Sequence, residues 1–361
     1  MTGRAPVTVD PASSDPTHSD PTHSDPASVD PPHGPDLERC SDRSRARAES
    51  PAATAPVTAR LLLVEAPGPW GRAGLTASRL SRAVSTQLAA AAEAHGVRVQ
   101  LIRRPGRHPG PPRPAALPSE GTHAWALAEP AAGAVRWGRW GAETDLLAVD
   151  LDAPLDPAVD ASTGPQRLVL VCTHARHDVC CAVRGRPVVA ALTAAGLDRE
   201  VWETSHLGGD RFAANVLALP EGEVFGGLDE GSAVAAVRAL DGGRLDLDHH
   251  RGRVGRTPPE QAAVHLAACS LGVDGTDAVR LLGPVARTAR DGTGQHYGAR
   301  VQVGGRVHRL DLVEWWAAPD RLTCAAVEAK PARRYDLAGI ELESLERESA
   351  ELEEPQASRG V

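Results

Sequence analysis

RLVLVCTHARHDVCCAVRGRPVVAAL, residues 167–192, runs from an apolar stretch through a cysteine-bearing loop into a helical pattern. Leu168 to Val171 is a short continuous apolar run, the pattern of a strand buried on both faces. It ends at Cys172, and a polar loop leads on to Cys180 and Cys181. RPVVAALTAAGL (186–197) reads as a helix with Pro187 near its start, where proline is tolerated. REVWETSHL (199–207) reads as a second strand, ending at His206. NVLALPEGEVFGGL (215–228) reads as a hairpin around Pro220 and Gly222, and GSAVAAVRALDGG (231–243) as a helix with a glycine stop. The order β-α-β-β-α, with cysteines at the tip of its first strand, predicts a thioredoxin-like domain over 165–257.

The same grammar precedes it. LLLVEAPGPWG (61–71) opens with an apolar run, and Pro67, Gly68, Pro69 and Gly71 force a turn. LTASRLSRAVSTQLAAAAEAHG (75–96) has helical apolar spacing and stops at Gly96; VRVQLIRRPG (97–106) alternates as a strand. Strand, helix and strand within about forty residues form a parallel βαβ unit. HAWALA (123–128), AVRWGRW (134–140) and LLAVDLD (146–152) are read as further strands, giving a smaller α/β domain over 57–155. It has the look of a degenerate copy of the thioredoxin-like unit. Its equivalent strand tip offers no Cys or His, so Glu65 and Trp70 are not expected to be metal ligands, and Trp70 is read as a packed loop anchor. The Pro/Gly stretch 152–166 marks the boundary.

Beyond 258, PPEQAAVHLAACSLG (258–272) and TDAVRLLGP (276–284) are read as helices. YGARVQV (297–303) and RVHRLDLVEWW (306–316) form a hairpin through Gly304-Gly305, and LTCAAVEAK (322–330) is a candidate third strand. This C-terminal α+β extension is assigned to 258–340. Residues 1–56, rich in Pro, Ser, Thr and Asp, read as a disordered tail, and 341–361 as an acidic one.

Composition limits the function. The 361 residues carry a net charge of -8, so no basic excess exists to hold nucleic acid. Lys330 is the single lysine among 39 basic residues, a bias of base composition rather than of function. No uninterrupted apolar run approaches the roughly 20 residues that span a bilayer, and the N-terminus lacks the apolar stretch of a secretory signal. The expectation is a cytoplasmic protein. In a reducing compartment, clustered cysteines point to metal binding or catalysis rather than disulfides.

Cys172, Cys180 and Cys181 are that cluster. Arg176, Arg184, Arg186 and a helix N-terminus favour thiolate there. SHLGGDRFAAN (205–215) ends a neighbouring strand, with His206 and Asp210 four apart and Gly208-Gly209 between them. Two adjacent strand tips thus offer sulfur, nitrogen and oxygen donors to one point. Iron–sulfur clusters take thiolates, and histidine can replace cysteine on one iron. His174 and His177 are read as solvated loop residues, Phe212 as packing beneath the loop, and Asn215 as tying its backbone. His249-His250 reads as a polar hairpin edge. Cys40 and Cys269 read as structural or incidental.

RLLLVEAPGPWGRAGL (60–75), CTHARHDVCCAVRGRPVVAAL (172–192) and VWETSHLGGDRFAANVLALPEGEVFGGL (201–228) together resemble the sucrase/ferredoxin-like family of thioredoxin-like ferredoxins. The resemblance extends over roughly residues 38–340. It implies a 2Fe-2S cluster held by two cysteines and two histidines. By position these are Cys172, Cys181 and His206, while the second family histidine falls at Asp210. Cys324 recurs in the family's C-terminal pattern without a role that can be derived. A carboxylate at Asp210 is a harder, anionic ligand that lowers the potential relative to a two-histidine site. The alternative is a three-cysteine, one-histidine set completed by Cys180, with Asp210 orienting His206 or pairing with Arg211.

Electron transfer is therefore the expected function, with a reductase and an acceptor protein as partners and no nucleic acid or membrane. The chain reads as a carrier more than a catalyst. A thiol oxidoreductase using Cys172 or Cys180-Cys181 lacks a Cys-x-x-Cys at the strand-to-helix turn. A glycosidase, suggested by the family's name, would need two carboxylates flanking a sugar pocket, and no such pair stands out. A scaffold that has lost the cluster is the third alternative.

Overall fold

The computed structural model describes residues 38–106 and 122–343. The readings for 1–37 and for the acidic segment from 344 onward lie outside these residues. Residues 38–56, expected to be disordered, are ordered. They open with a helix, Cys40–Ala46 (α1), in which Cys40, Ser41 and Ser44 are buried. Polar anchors order this segment: Glu49 accepts from Arg211 at 2.7 Å, and Thr54 from Arg251 at 3.0 Å. Composition gives no sign of such long-range partners.

The apolar run becomes Arg60–Glu65 (β1), followed by Arg82–Ala94 (α2) and Val97–Arg103 (β2), with β1 and β2 parallel. His123–Glu129 (β3) and Ala134–Trp140 (β4) add antiparallel strands beyond β1. The expected strand at 146–152 does not form. Glu143–Ala148 is a 3-10 turn begun where Asp145 accepts from the amides of Gly141 and Ala142, at 2.9 Å each. A short helix, Pro157–Asp160 (α3), sits in the Pro/Gly stretch, capped by Asp156.

The second half repeats the arrangement. Leu168–Cys172 (β5), Val179–Leu192 (α4) and Val201–Thr204 (β6) form a parallel unit, and Val216–Leu219 (β7) and Glu223–Phe225 (β8) continue beyond β5. Glu230–Asp241 (α5) and His250–Arg253 (β9) complete it. The helix α4 starts seven residues before the expected 186, because Asp178 caps it by accepting from the Cys180 amide at 2.8 Å. Pro187 therefore lies inside the helix. Its missing N–H leaves the Val183 carbonyl without its usual donor, at a residue that is solvent-exposed.

One nine-stranded sheet runs β4-β3-β1-β2-β6-β5-β7-β8-β9. The order β4-β3-β1-β2 is mirrored as β6-β5-β7-β8, so the halves share a topology and meet edge to edge. At that junction β2 and β6 pair antiparallel, Ile102 with Thr204 and Arg103 with Glu203. The side-chain alternation of the strands explains the core. Leu61, Leu63, Leu168 and Leu170 enter a core shared by both halves, whereas Leu62 and Val64 face the α2 side and Val169 and Val171 the α4 side.

The C-terminal part is a five-stranded antiparallel sheet under Pro258–Leu271 (α6). Its strands are Val279–Leu281 (β10), Ala286–Arg290 (β11), Gln295–Val303 (β12), Arg306–Trp316 (β13) and Arg333–Leu342 (β14). The expected helix at 276–284 is thus replaced by β10, whose backbone pairs with β12. Residues 322–330 are turns rather than a strand; the third long strand is β14, paired with β13 along nine residues from His308 to Trp316. One helical run, Val179–Leu197, is long and apolar enough by composition to cross a membrane. It is a core helix: Cys180, Cys181, Val188, Val189 and Leu192 on it are buried.

Candidate metal centre

Beside the junction of the two half-sheets, two strand tips and the start of a helix come together. Cys172 ends β5, Cys181 lies in the first turn of α4, and His206 follows β6. Their Sγ, Sγ and ring nitrogen lie within 4.8 Å of one another. Gly185 allows this approach: a Cβ there would press on the Cys172 carbonyl oxygen, so only glycine lets α4 lie so close to β5. Asp210 completes the group. Its Oδ1 stands 3.3 Å from Cys181 Sγ and 3.0 Å from His206 Nδ1. The imidazole Nδ1 is buried and faces the Asp210 carboxylate.

Burial is uneven. Cys172, Cys181 and Asp210 are enclosed, at 0%, 1% and 3% exposure, whereas the His206 side chain is 22% exposed. The charge distribution suits a cationic guest. Hydrogen bonding from Cys181 holds the Cys172 thiol well below the usual range, and Cys181 in turn is pushed up. Burial opposes charge on His206, but Asp210 and Cys172 overcome it and raise the imidazole to about 9. Burial likewise raises Asp210, and its contact with His206 outweighs this and lowers it.

Cys180 does not join this group. Successive helical residues point about 100° apart, and its thiol turns to Cys40 and Cys324 instead. Asp210 does not pair with Arg211, whose guanidinium is taken by Glu49. His177 is no solvated bystander: its ring stacks on His206 with centroids 3.6 Å apart, and its Nε2 lies 3.9 Å from Asp210 Oδ2. His174 is buried, with Nε2 2.8 Å from the Gly71 carbonyl oxygen and Trp70 edge-on to its ring. The PGPWG turn (67–71) of the first half therefore covers the cysteine loop. Trp70 is the packed anchor expected, donating to the Ala66 carbonyl at 2.9 Å. Glu65 accepts from the Ala124 amide at 2.8 Å, a strand-pairing role. His249 and His250 pair with Asp246 and Glu223, each at 2.8 Å.

Three supports escape the sequence. Arg98 and Gln100 on β2 donate to the His206 carbonyl at 2.8 and 3.2 Å, so the first half fixes the ligand loop of the second. Arg251, 1% exposed, donates to the carbonyl of Gly208 at 2.9 Å and to Asn215 Oδ1 at 2.8 Å. Asn215 ties the loop as expected, donating to the Gly209 carbonyl at 2.9 Å. Gly209 has φ 72°, and a Cβ there would lie 2.5 Å from the Arg251 guanidinium. Nothing local in the sequence distinguishes Arg251 from the many surface arginines.

A family model for sucrase/ferredoxin-like proteins matches residues 52–254. That span covers both half-sheets and every residue of the site, and the chain belongs to this family. No curated protein and no solved structure matches it significantly.

Proposed function

We propose that the chain is an electron-transfer protein carrying a 2Fe-2S cluster at the junction of the two half-sheets, with the second half as its thioredoxin-like ferredoxin domain. The observation that carries this reading is the convergence of two buried thiols, one imidazole and one carboxylate from adjacent strand tips. Cys172 and Cys181 would hold one iron, His206 and Asp210 the other. Such a cluster supplies one-electron chemistry, and the protein sets its potential through ligand type, charge and burial.

The uneven burial supports transfer rather than catalysis. Cysteine sulfurs sealed from solvent are inaccessible to a disulfide substrate, which argues against a thiol oxidoreductase. The half-exposed edge formed by His206 and His177 is the natural point of electron entry and exit, toward a reductase and an acceptor protein. The buried Arg251 cation offsets the anionic Asp210 and favours the reduced state.

His177 offers a second reading of the fourth ligand. It stacks on His206 and belongs with His206 and Asp210 to one compact donor group. We favour Asp210 because it touches both Cys181 and His206 and is buried.

Anaerobic purification tests the proposal. The full chain should bind about two irons and two sulfides, with visible absorption that bleaches on reduction, and Cys172→Ser should abolish the colour. A folded wild type that stays colourless and iron-free after anaerobic reconstitution would refute it.

A further inference from the structure

A second group of donors lies apart from the first. Cys40 begins α1, Cys180 sits in the first turn of α4, and Cys324 lies in the turns between β13 and β14. Their sulfurs form a triangle: Cys40 to Cys180 3.6 Å, Cys180 to Cys324 3.3 Å, Cys324 to Cys40 3.6 Å. Asp178 stands beside them, with Oδ2 3.8 Å from Cys40 Sγ. It is 3% exposed, and Cys40 and Cys180 are 2% and 0% exposed.

We propose that Cys40, Cys180, Cys324 and Asp178 bind one structural zinc ion. The spacing identifies the guest. With Zn–S bonds of about 2.3 Å, the edge of a tetrahedron is about 3.8 Å, close to the triangle observed. Three sulfurs in mutual contact fit the ligand shell of one tetrahedral ion. Three thiolates and an oxygen select a borderline-soft, tetrahedral ion. The distances are also far beyond a sulfur–sulfur bond, which is about 2.05 Å.

Ordinary apolar packing does not account for the group. It would not bring three cysteines 140 and 144 residues apart into contact, nor place a carboxylate among them. Asp178 is already oriented as a ligand. Its Oδ1 accepts from the Cys180 amide at 2.8 Å and its Oδ2 from the Cys324 amide at 2.7 Å, and each oxygen keeps a second lone pair. Four protein donors leave no open position, the mark of a structural rather than a catalytic zinc.

The consequence is architectural. One ion would fasten the N-terminal segment, the start of α4 and the C-terminal loop. It would anchor the helical turn that also carries Cys181, one residue along. The inference stands independently of the iron–sulfur reading, since the two donor sets share no residue.

The test is metal analysis of the full chain purified anaerobically from medium supplemented with iron and zinc. About one zinc per chain is expected alongside any iron. Cys40→Ala and Cys324→Ala should each lose the zinc, while Cys269→Ala, at an exposed position on α6, should keep it. Should a variant fail to fold, cobalt substitution in the wild type decides: intense tetrahedral bands with thiolate charge transfer are expected. Wild type without zinc after incubation with excess ion, zinc that survives both variants, iron in its place, or a disulfide among these cysteines would each overturn the proposal.

Discussion

Arg251→Met removes the buried guanidinium while keeping much of its volume. Four bonds go with it: two to the Thr54 hydroxyl and carbonyl, one to the Gly208 carbonyl and one to Asn215 Oδ1. The hydroxyl still donates to the Pro51 carbonyl, but three oxygens are left without their donor. Each unsatisfied buried group costs about 1–3 kcal/mol, so the sum is about 3–6 kcal/mol once some water enters. The lost desolvation cost of the guanidinium works in the opposite direction, since burial, helped by the nearby Arg211 and Arg98 charges, lowers the Arg251 pKa to about 9. A net loss of about 3 kcal/mol is therefore expected in urea unfolding. The effect should reach the metal centre, because the Gly208-Gly209 turn that spaces His206 from Asp210 hangs on this side chain. Cluster occupancy should fall, and any cluster that remains should have a lower potential, since a nearby positive charge has gone. Arg251→Lys should keep part of the stability and most of the potential. A Met variant with less than about 1 kcal/mol of destabilisation and unchanged occupancy would show that Arg251 does not hold the ligand loop.

Three further outcomes follow from the same geometry. Asp210→His should keep the cluster and raise its potential, because a neutral imidazole replaces an anion, whereas Asp210→Ala should make it labile; if His177→Ala is the more damaging change, His177 is the ligand. Glu49, held at about 2 chiefly by Arg211 against the cost of burial, has a depressed folded pKa, so its stabilisation is complete above its ordinary value of 4.5 and is lost as pH falls from there toward 2. Its value is about 2–3 kcal/mol, so the stability gap between wild type and Glu49→Gln in urea melts should be widest at neutral pH and close on acidification. Gly185→Ala gains about 1 kcal/mol of helix propensity but presses on the Cys172 carbonyl, an overpacking cost of about 1–3 kcal/mol against rigid backbone. Net destabilisation with loss of visible absorbance is expected, checked by thermal melts and spectra.

What was legible in the sequence was local. The runs Leu61–Val64 and Leu168–Val171 announce central strands because burial on both faces demands continuous apolar residues. The hairpin through Gly304-Gly305 announces itself by turn chemistry, and both are found. Cys172, Cys181, His206 and Asp210 were legible as a group because strand tips in one βαβ unit must lie side by side. What depended on distant partners was hidden. Cys40 sits in a stretch whose polar composition resembles a tail, and its partners Cys180 and Cys324 lie 140 and 284 residues away. Pro187 misplaced the start of α4, because a proline inside a helix cannot be told from one at its first turn until the Asp178 cap is seen. The 146–152 segment has strand-like apolar content, yet Asp145 folds it into a turn.

In the proposed cluster, His206 ligates iron beside a thiolate pair. Pulsed EPR of the reduced protein, labelled with nitrogen-15 in its histidines, tests it most directly. Strong coupling to one histidine nitrogen is expected, absent in His206→Cys and joined by a second in Asp210→His. A reduced cluster with no histidine coupling would contradict it.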